Sequence, residues 1–139
     1  MTSSRNDTDD TAPEPSARER QATNDRATFA HTIAIVGGAL LWIVTAAISR
    51  RVEAWDSPLY WMLAYPFSIA LAGWLGAQVP EKPWRWGLGV MLAQAGVLAV
   101  SSGSFGLLPL GMIVFSVLAL PPIVAARFMA KRRLRSQPR

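Results

Sequence analysis

Residues 29–49 read FAHTIAIVGGALLWIVTAAIS, without a single Asp, Glu, Lys or Arg. A helix of that length rises roughly 30 Å, the thickness of a bilayer's hydrocarbon core. Three more stretches follow the same pattern: residues 59–79 (LYWMLAYPFSIALAGWLGAQV), 84–102 (WRWGLGVMLAQAGVLAVSS) and 107–126 (LLPLGMIVFSVLALPPIVAA). None has a charged residue in its central part. A soluble helix of similar length interleaves charges along its outer face. The pattern therefore predicts an all-α membrane protein with four transmembrane helices.

The polar residues of this 139-residue chain gather at its two ends. Residues 1–27 lack Leu, Ile, Val, Phe, Trp and Tyr and hold Pro13 and Pro15. Such a segment buries too little surface to offset its ordering entropy and is expected to be a disordered tail. It has no short apolar core of the kind a signal peptide needs. Residues 28–130 are expected to form the four-helix membrane domain, and residues 131–139 a second, basic tail. Four spans leave no room for another folded domain.

Local signals set the ends of the spans. Thr28 reads as N-cap of the first, and Arg50 and Arg51 suit the negative end of its dipole. Ser57 and Pro58 read as N-cap and first position of the second, and Pro80 and Pro83 close it. Pro109 falls in the first turn of the fourth, where it is tolerated. The links at residues 50–58, 80–83 and around Ser101–Ser102–Gly103–Ser104 are short, which predicts an up-down-up-down bundle.

With the N-terminus inside, Arg5, Arg18, Arg20, Arg26, Lys82, Arg85, Arg127, Lys131, Arg132, Arg133, Arg135 and Arg139 lie on the cytoplasmic side, and only Arg50 and Arg51 lie outside. The positive-inside rule then places both termini in the cytoplasm. Trp55, Tyr60 and Trp61 would form the outer aromatic belt, and Trp84 and Trp86 the inner one. The net charge of +5 has this topological explanation, so nucleic-acid binding is not expected. The cluster Lys131, Arg132, Arg133 and Arg135 is the candidate contact for anionic lipid headgroups, each residue contributing about 1 kcal/mol.

Few residues inside the spans carry chemistry. Ala64, Ser68, Ala72 and Gly76 repeat every fourth residue and line one helix face, where small side chains let another helix approach. This ladder predicts helix packing within the bundle or, on the sharper reading, a face for a partner subunit. Ala95, Ala99 and Gly103 form a weaker ladder. Gln94 is the only amide deep in a span and shares a face with Gly87 and Ser101. An interhelical hydrogen bond is the favoured reading, with a ligand or water contact as the alternative. Pro66, Pro121 and Pro122 remove bonds to the carbonyls of Met62, Val117 and Leu118, so kinks or local accommodation are expected.

Catalytic and metal chemistry find little support. Cysteine is absent, which excludes disulfides and thiolate sites. Glu53 and Asp56 lie in a loop beside arginines, where carboxylates are usually solvated. His31 is the only histidine, too few ligands for haem or metal. Neither a phosphate-binding loop nor a serine–histidine constellation is present. No cofactor and no enzymatic activity are expected.

Several short pieces together resemble small, uncharacterised four-span proteins of bacterial inner membranes: Ser57–Pro58–Leu59–Tyr60–Trp61, Tyr65–Pro66, Pro83–Trp84–Arg85–Trp86–Gly87 with Gln94, Leu108–Pro109–Leu110–Gly111 and Pro121–Pro122. The resemblance covers the apolar region and implies a bacterial plasma membrane. It supplies no catalytic residues. The chain does not resemble small multidrug transporters, whose first span carries an embedded glutamate. The expected role is a structural or accessory subunit, in contact with lipid and with other membrane subunits or copies of itself. The alternative is a small homo-oligomeric channel for an uncharged substrate, built around Gln94 and the break at Pro66.

Overall fold

Five α-helices account for most of the computed structural model, which describes residues 16–51, 53–103 and 108–136. They are α1 (Ala17–Ser49), α2 (Tyr65–Gln78), α3 (Trp84–Ser102), α4 (Leu108–Leu118) and α5 (Leu120–Arg135). A 3-10 turn, Ala54–Asp56, and a π-helical segment, Tyr60–Ala64, lead into α2. No strand occurs among the described residues. Two helical segments are long and apolar enough to cross a membrane: α1, and the run Pro109–Arg135 to which α4 and α5 contribute.

The start of α1 corrects the sequence reading. Its N-cap is Ser16, not Thr28. The Ser16 N–H donates to Glu19 Oε2 at 2.8 Å, and the Glu19 N–H donates to Ser16 Oγ at 3.3 Å. This capping box satisfies two donors reciprocally at the helix start. Ala17, Arg18, Glu19, Arg20, Gln21 and Ala22 are all residues of good helix propensity or nearly so. The lack of apolar residues correctly implies no packed core, since residues 16–26 are exposed. It does not preclude a helix continuous with an apolar stretch that has already nucleated it. The rest of the predicted disordered tail, residues 1–15, lies outside the described residues.

The second correction is at the other end. α5 does not stop near residue 126 but continues to Arg135, so Lys131, Arg132, Arg133 and Arg135 are helical. Ala, Met, Lys and Arg here favour a helix, and the basic groups suit its negative end. Residues 137–139 lie outside the described set, as do residues 104–107 of the link that contains Ser104. α3 occupies the expected residues 84–102 and ends on Gly103, whose φ of 59° places it in the left-handed region that glycine adopts freely.

The prolines are accommodated locally. Ser57 Oγ accepts the Leu59 N–H at 3.2 Å, with Pro58 as the first helical residue. Just before Pro66 the backbone widens into the π segment, and the Tyr65 N–H bonds the Tyr60 carbonyl five residues back. A wider turn relieves the crowding that the proline ring imposes on the preceding turn. Between α4 and α5 helical bonding carries across Ala119: the Ala119 N–H bonds the Phe115 carbonyl and the Ile123 N–H bonds the Ala119 carbonyl, at 2.9 and 3.0 Å.

Contacts between helices fix their relative directions. His31 meets Trp86, Ala34 faces Gly89 and Gly38 meets Val90, so α1 and α3 run in the same sense. Tyr65 meets Leu118, Gly73 faces Ala125 and Arg133 reaches Ala77, so α2 and α5 also run together. Trp42 meets Tyr60 while Gly37 faces Leu71, so α1 opposes α2. At three crossings glycine is required by proximity. A Cβ on Gly38 would strike the Val90 carbonyl, one on Gly76 the backbone of Ala126, and one on Gly87 the backbone of Pro122 and Ile123.

Candidate functional site

Gln94 lies in the middle of α3 and is fully buried. A polar side chain there must find its partners inside the protein. The Tyr60 hydroxyl, presented by the π segment, donates to Gln94 Oε1 at 2.8 Å. Gln94 Nε2 donates to Ser68 Oγ at 2.8 Å. The Ser68 hydroxyl donates in turn to the Ala64 carbonyl, also at 2.8 Å. Tyr60, Gln94 and Ser68 are each fully buried, so the chain of bonds stitches α3 to the π segment and to α2 without reaching solvent.

A second bond serves the break between α4 and α5. The Tyr65 hydroxyl donates to the Leu118 carbonyl at 3.1 Å. That carbonyl is the one Pro122 deprives of its usual N–H four residues on. Around these bonds Trp42, Trp55, Tyr60 and Phe115 form an aromatic cluster with centroids 5.4–5.8 Å apart in the contacting pairs. Trp42 Nε1 is buried without a hydrogen-bond partner among the described residues. Its ring stands edge-on to those of Trp55 and Tyr60, at 84° and 71°, where ring edges meet π faces favourably.

The sequence-predicted residues separate into three groups. Ala64, Ser68, Ala72 and Gly76 are all buried within the chain. Their ladder is the seam along which α2 meets α5 and α3, with Gly76 against Ala126 and Ser68 bonded to Gln94. Gly87, Gln94 and Ser101 share a helix face but not an environment. Gly87 touches α5, Gln94 joins the network, and exposed Ser101 bonds back to the Val97 carbonyl. Ala95 and Ala99 are half-buried and border an open groove.

The basic residues form the third group. Arg133 Nη1 donates to the Ala77 carbonyl at 2.8 Å and to Gln78 Oε1 at 3.0 Å, capping the end of α2. The Arg132 guanidinium lies 4.6 Å from the centre of the Phe128 ring. Lys131 and Arg135 are exposed. At the same end, His31 Nδ1 lies 2.7 Å from the Ala27 carbonyl, and Trp86 Nε1 donates to Val79 at 2.9 Å.

Among the described residues no three His, Cys, Asp or Glu side chains come together as metal ligands would. Sequence reasoning singled out Gln94 and Ser68 but gave Tyr60 only a belt role, and it passed over Arg133 as a cap. Neither has a spacing signal, because their partners lie 34 and 55–56 residues away. No protein-family model, curated protein or solved structure matches the chain.

Proposed function

We propose that this chain is a four-span protein of a bacterial inner membrane. It forms an up-down-up-down bundle with both ends in the cytoplasm, and it acts as a structural or accessory subunit beside other membrane proteins. The observation that carries this reading is the closed network of Tyr60, Gln94, Ser68 and the Ala64 carbonyl. Tyr60 and Gln94, each fully buried, are spent on joining the chain's own helices. Both amide atoms of Gln94 are engaged and the residue is fully buried, so a pore lined by Gln94 between copies gains no support.

The arrangement of charge supports the orientation. Arg133 at the end of α5 touches the end of α2, which leads directly into Lys82 and Arg85. Three basic segments therefore share one end of the bundle, counting the start of α1 that precedes His31. Arg50 and Arg51 lie at the other. Lys131 and Arg135, exposed at the basic end, are placed to meet anionic headgroups. Large apolar side chains such as Met62, Phe67, Ile113 and Val124 point outward, where lipid or a neighbouring subunit would cover them. The short motifs that resemble four-span bacterial proteins fit the same reading.

Purification in mild detergent tests the role. The chain is expected to bring down a defined membrane partner at fixed stoichiometry, and that partner is expected to lose abundance when the chain is deleted. A monomer that carries no partner, and whose deletion leaves the membrane proteome unchanged, would overturn the proposal.

A further inference from the structure

A groove of about 610 Å³ opens between α3 and α4 on the side away from the polar network. Its volume lies within the range of about 300–1,000 Å³ typical of small-molecule sites. Its apolar lining includes the small residues Ala95, Gly96 and Ala99 from α3 and Gly111 from α4, beside large ones such as Leu98 and Phe115. Among the described residues, no atom of another turn or helix lies within 4 Å of where a Cβ on Gly96 or Gly111 would stand. Along α3 the groove runs from Leu92 to Ser102, about 15 Å by helical rise.

Its rim differs in chemistry from that apolar lining. Glu53, Asp56, Trp55 and Trp61 border the groove, and among the described residues no Lys, Arg or His lines it, Arg50 and Arg51 of the preceding turn included. Glu53 is fixed by a 2.6 Å bond from Trp55 Nε1 to its Oε2, and Trp55 is in turn held by the Trp61 Nε1 bond to its carbonyl. Two carboxylates among aromatic faces favour a cation through both charge and ring quadrupole. The second large cleft, about 430 Å³ between α1 and the second span, has no charged residue in its lining, and its Thr45 hydroxyl is already bonded to Leu41 at 2.6 Å.

We infer that the α3–α4 groove binds a lipophilic organic cation, with the charge at the Glu53–Asp56 rim and the apolar body between Gly96 and Gly111. This goes beyond the accessory role, which does not require a ligand.

The test uses the full chain in nanodiscs, with binding of tetraphenylphosphonium and tetraphenylborate measured by equilibrium dialysis against empty discs. The two ions share shape and apolar surface and differ in charge. Saturable binding of one phosphonium per chain is expected, without saturable binding of the borate. The double variant Glu53→Gln/Asp56→Asn is expected to weaken the phosphonium at least tenfold. The amide oxygen it introduces at position 53 can still accept from Trp55, so the rim keeps its shape while losing its charge. Gly96→Leu, which fills open space, is expected to abolish binding with the fold intact. Equal binding of both ions, no saturable phosphonium, or indifference to either variant would each overturn the inference. Equal binding would mark the groove as a site for apolar matter such as a lipid chain.

Discussion

The Tyr65 hydroxyl lies 3.1 Å from the Leu118 carbonyl, linking α2 to the end of α4. Pro122 leaves that carbonyl without its helical donor, so a side chain from one proline-disturbed helix repairs the other. Tyr65→Phe is expected to destabilise the protein by about 1 kcal/mol, in the range measured for interhelical bonds in membranes. In a Pro122→Ala background, where residue 122 regains an N–H, the same change should cost less. Unfolding in mixed micelles of all four proteins gives the cycle, and strict additivity would show that the hydroxyl does not serve the proline break.

The network around Gln94 makes a sharper demand. Gln94→Leu removes an acceptor from Tyr60 and a donor to Ser68, leaving the Tyr60 hydroxyl buried without a partner. The expected loss is about 1–3 kcal/mol. With Tyr60→Phe and Ser68→Ala already in place, the loss should shrink by a substantial fraction, because no polar group is then stranded. Equal costs in the two backgrounds would mean that the amide acts through packing alone.

Glycines give opposite predictions according to what faces them. Gly76 lies against the backbone of Ala126, which cannot swing aside, so Gly76→Ala is expected to cost about 1–3 kcal/mol. Gly96 faces the open groove, so Gly96→Ala is expected to be neutral or to stabilise by about 0.5–1 kcal/mol through helix propensity. Thermal unfolding of the two variants beside the parent decides it. If both behave alike, the close approach of α2 to α5 is wrong.

These contacts separate what a single sequence can state from what it cannot. The helix at residues 84–102 was legible because a run of apolar residues and the polar link that ends it are local. The Ala64–Ser68–Ala72–Gly76 face was legible because four-residue spacing is a property of one helix. The start of α1 was also written locally, in Ser16 and Glu19, but a reading keyed to apolar content passed over a polar helix. What lay hidden was register between helices. Gln94 announced that it needed partners, yet Tyr60 and Ser68, 34 and 26 residues away, are chosen by how α3 slides against the second span. The groove was hidden for the same reason, since Glu53 and Gly111 meet only in the folded chain.

The capping box offers a local test of the helical extension. Ser16→Ala with Glu19→Ala removes both reciprocal bonds, which together hold the first turn at a cost of about 1–2 kcal/mol when lost. Residues 17–26 are exposed, and the capping box holds their first turn. Amide exchange over that stretch should quicken severalfold, while exchange in α3 and α5 stays unchanged. Unaltered protection over residues 17–26 would mean that something other than the cap holds the extension.

Orientation can be read directly, because the chain has no cysteine to confuse labelling. Asp56 and Ser136 are both exposed and belong to opposite ends of the bundle. Ser136 follows the basic run that touches the end of α2, and Asp56 lies in the link beside Arg50 and Arg51. In the proposed orientation, the end with the excess of Lys and Arg faces the cytoplasm. An impermeant maleimide is therefore expected to label Asp56→Cys on intact spheroplasts, and Ser136→Cys only after lysis. Replacing Arg50 and Arg51 with Gln should leave this pattern unchanged, since it strengthens the bias. Labelling of Ser136→Cys on intact spheroplasts, with Asp56→Cys protected, would invert the topology. The carboxylate rim of the α3–α4 groove would then face the cytoplasm.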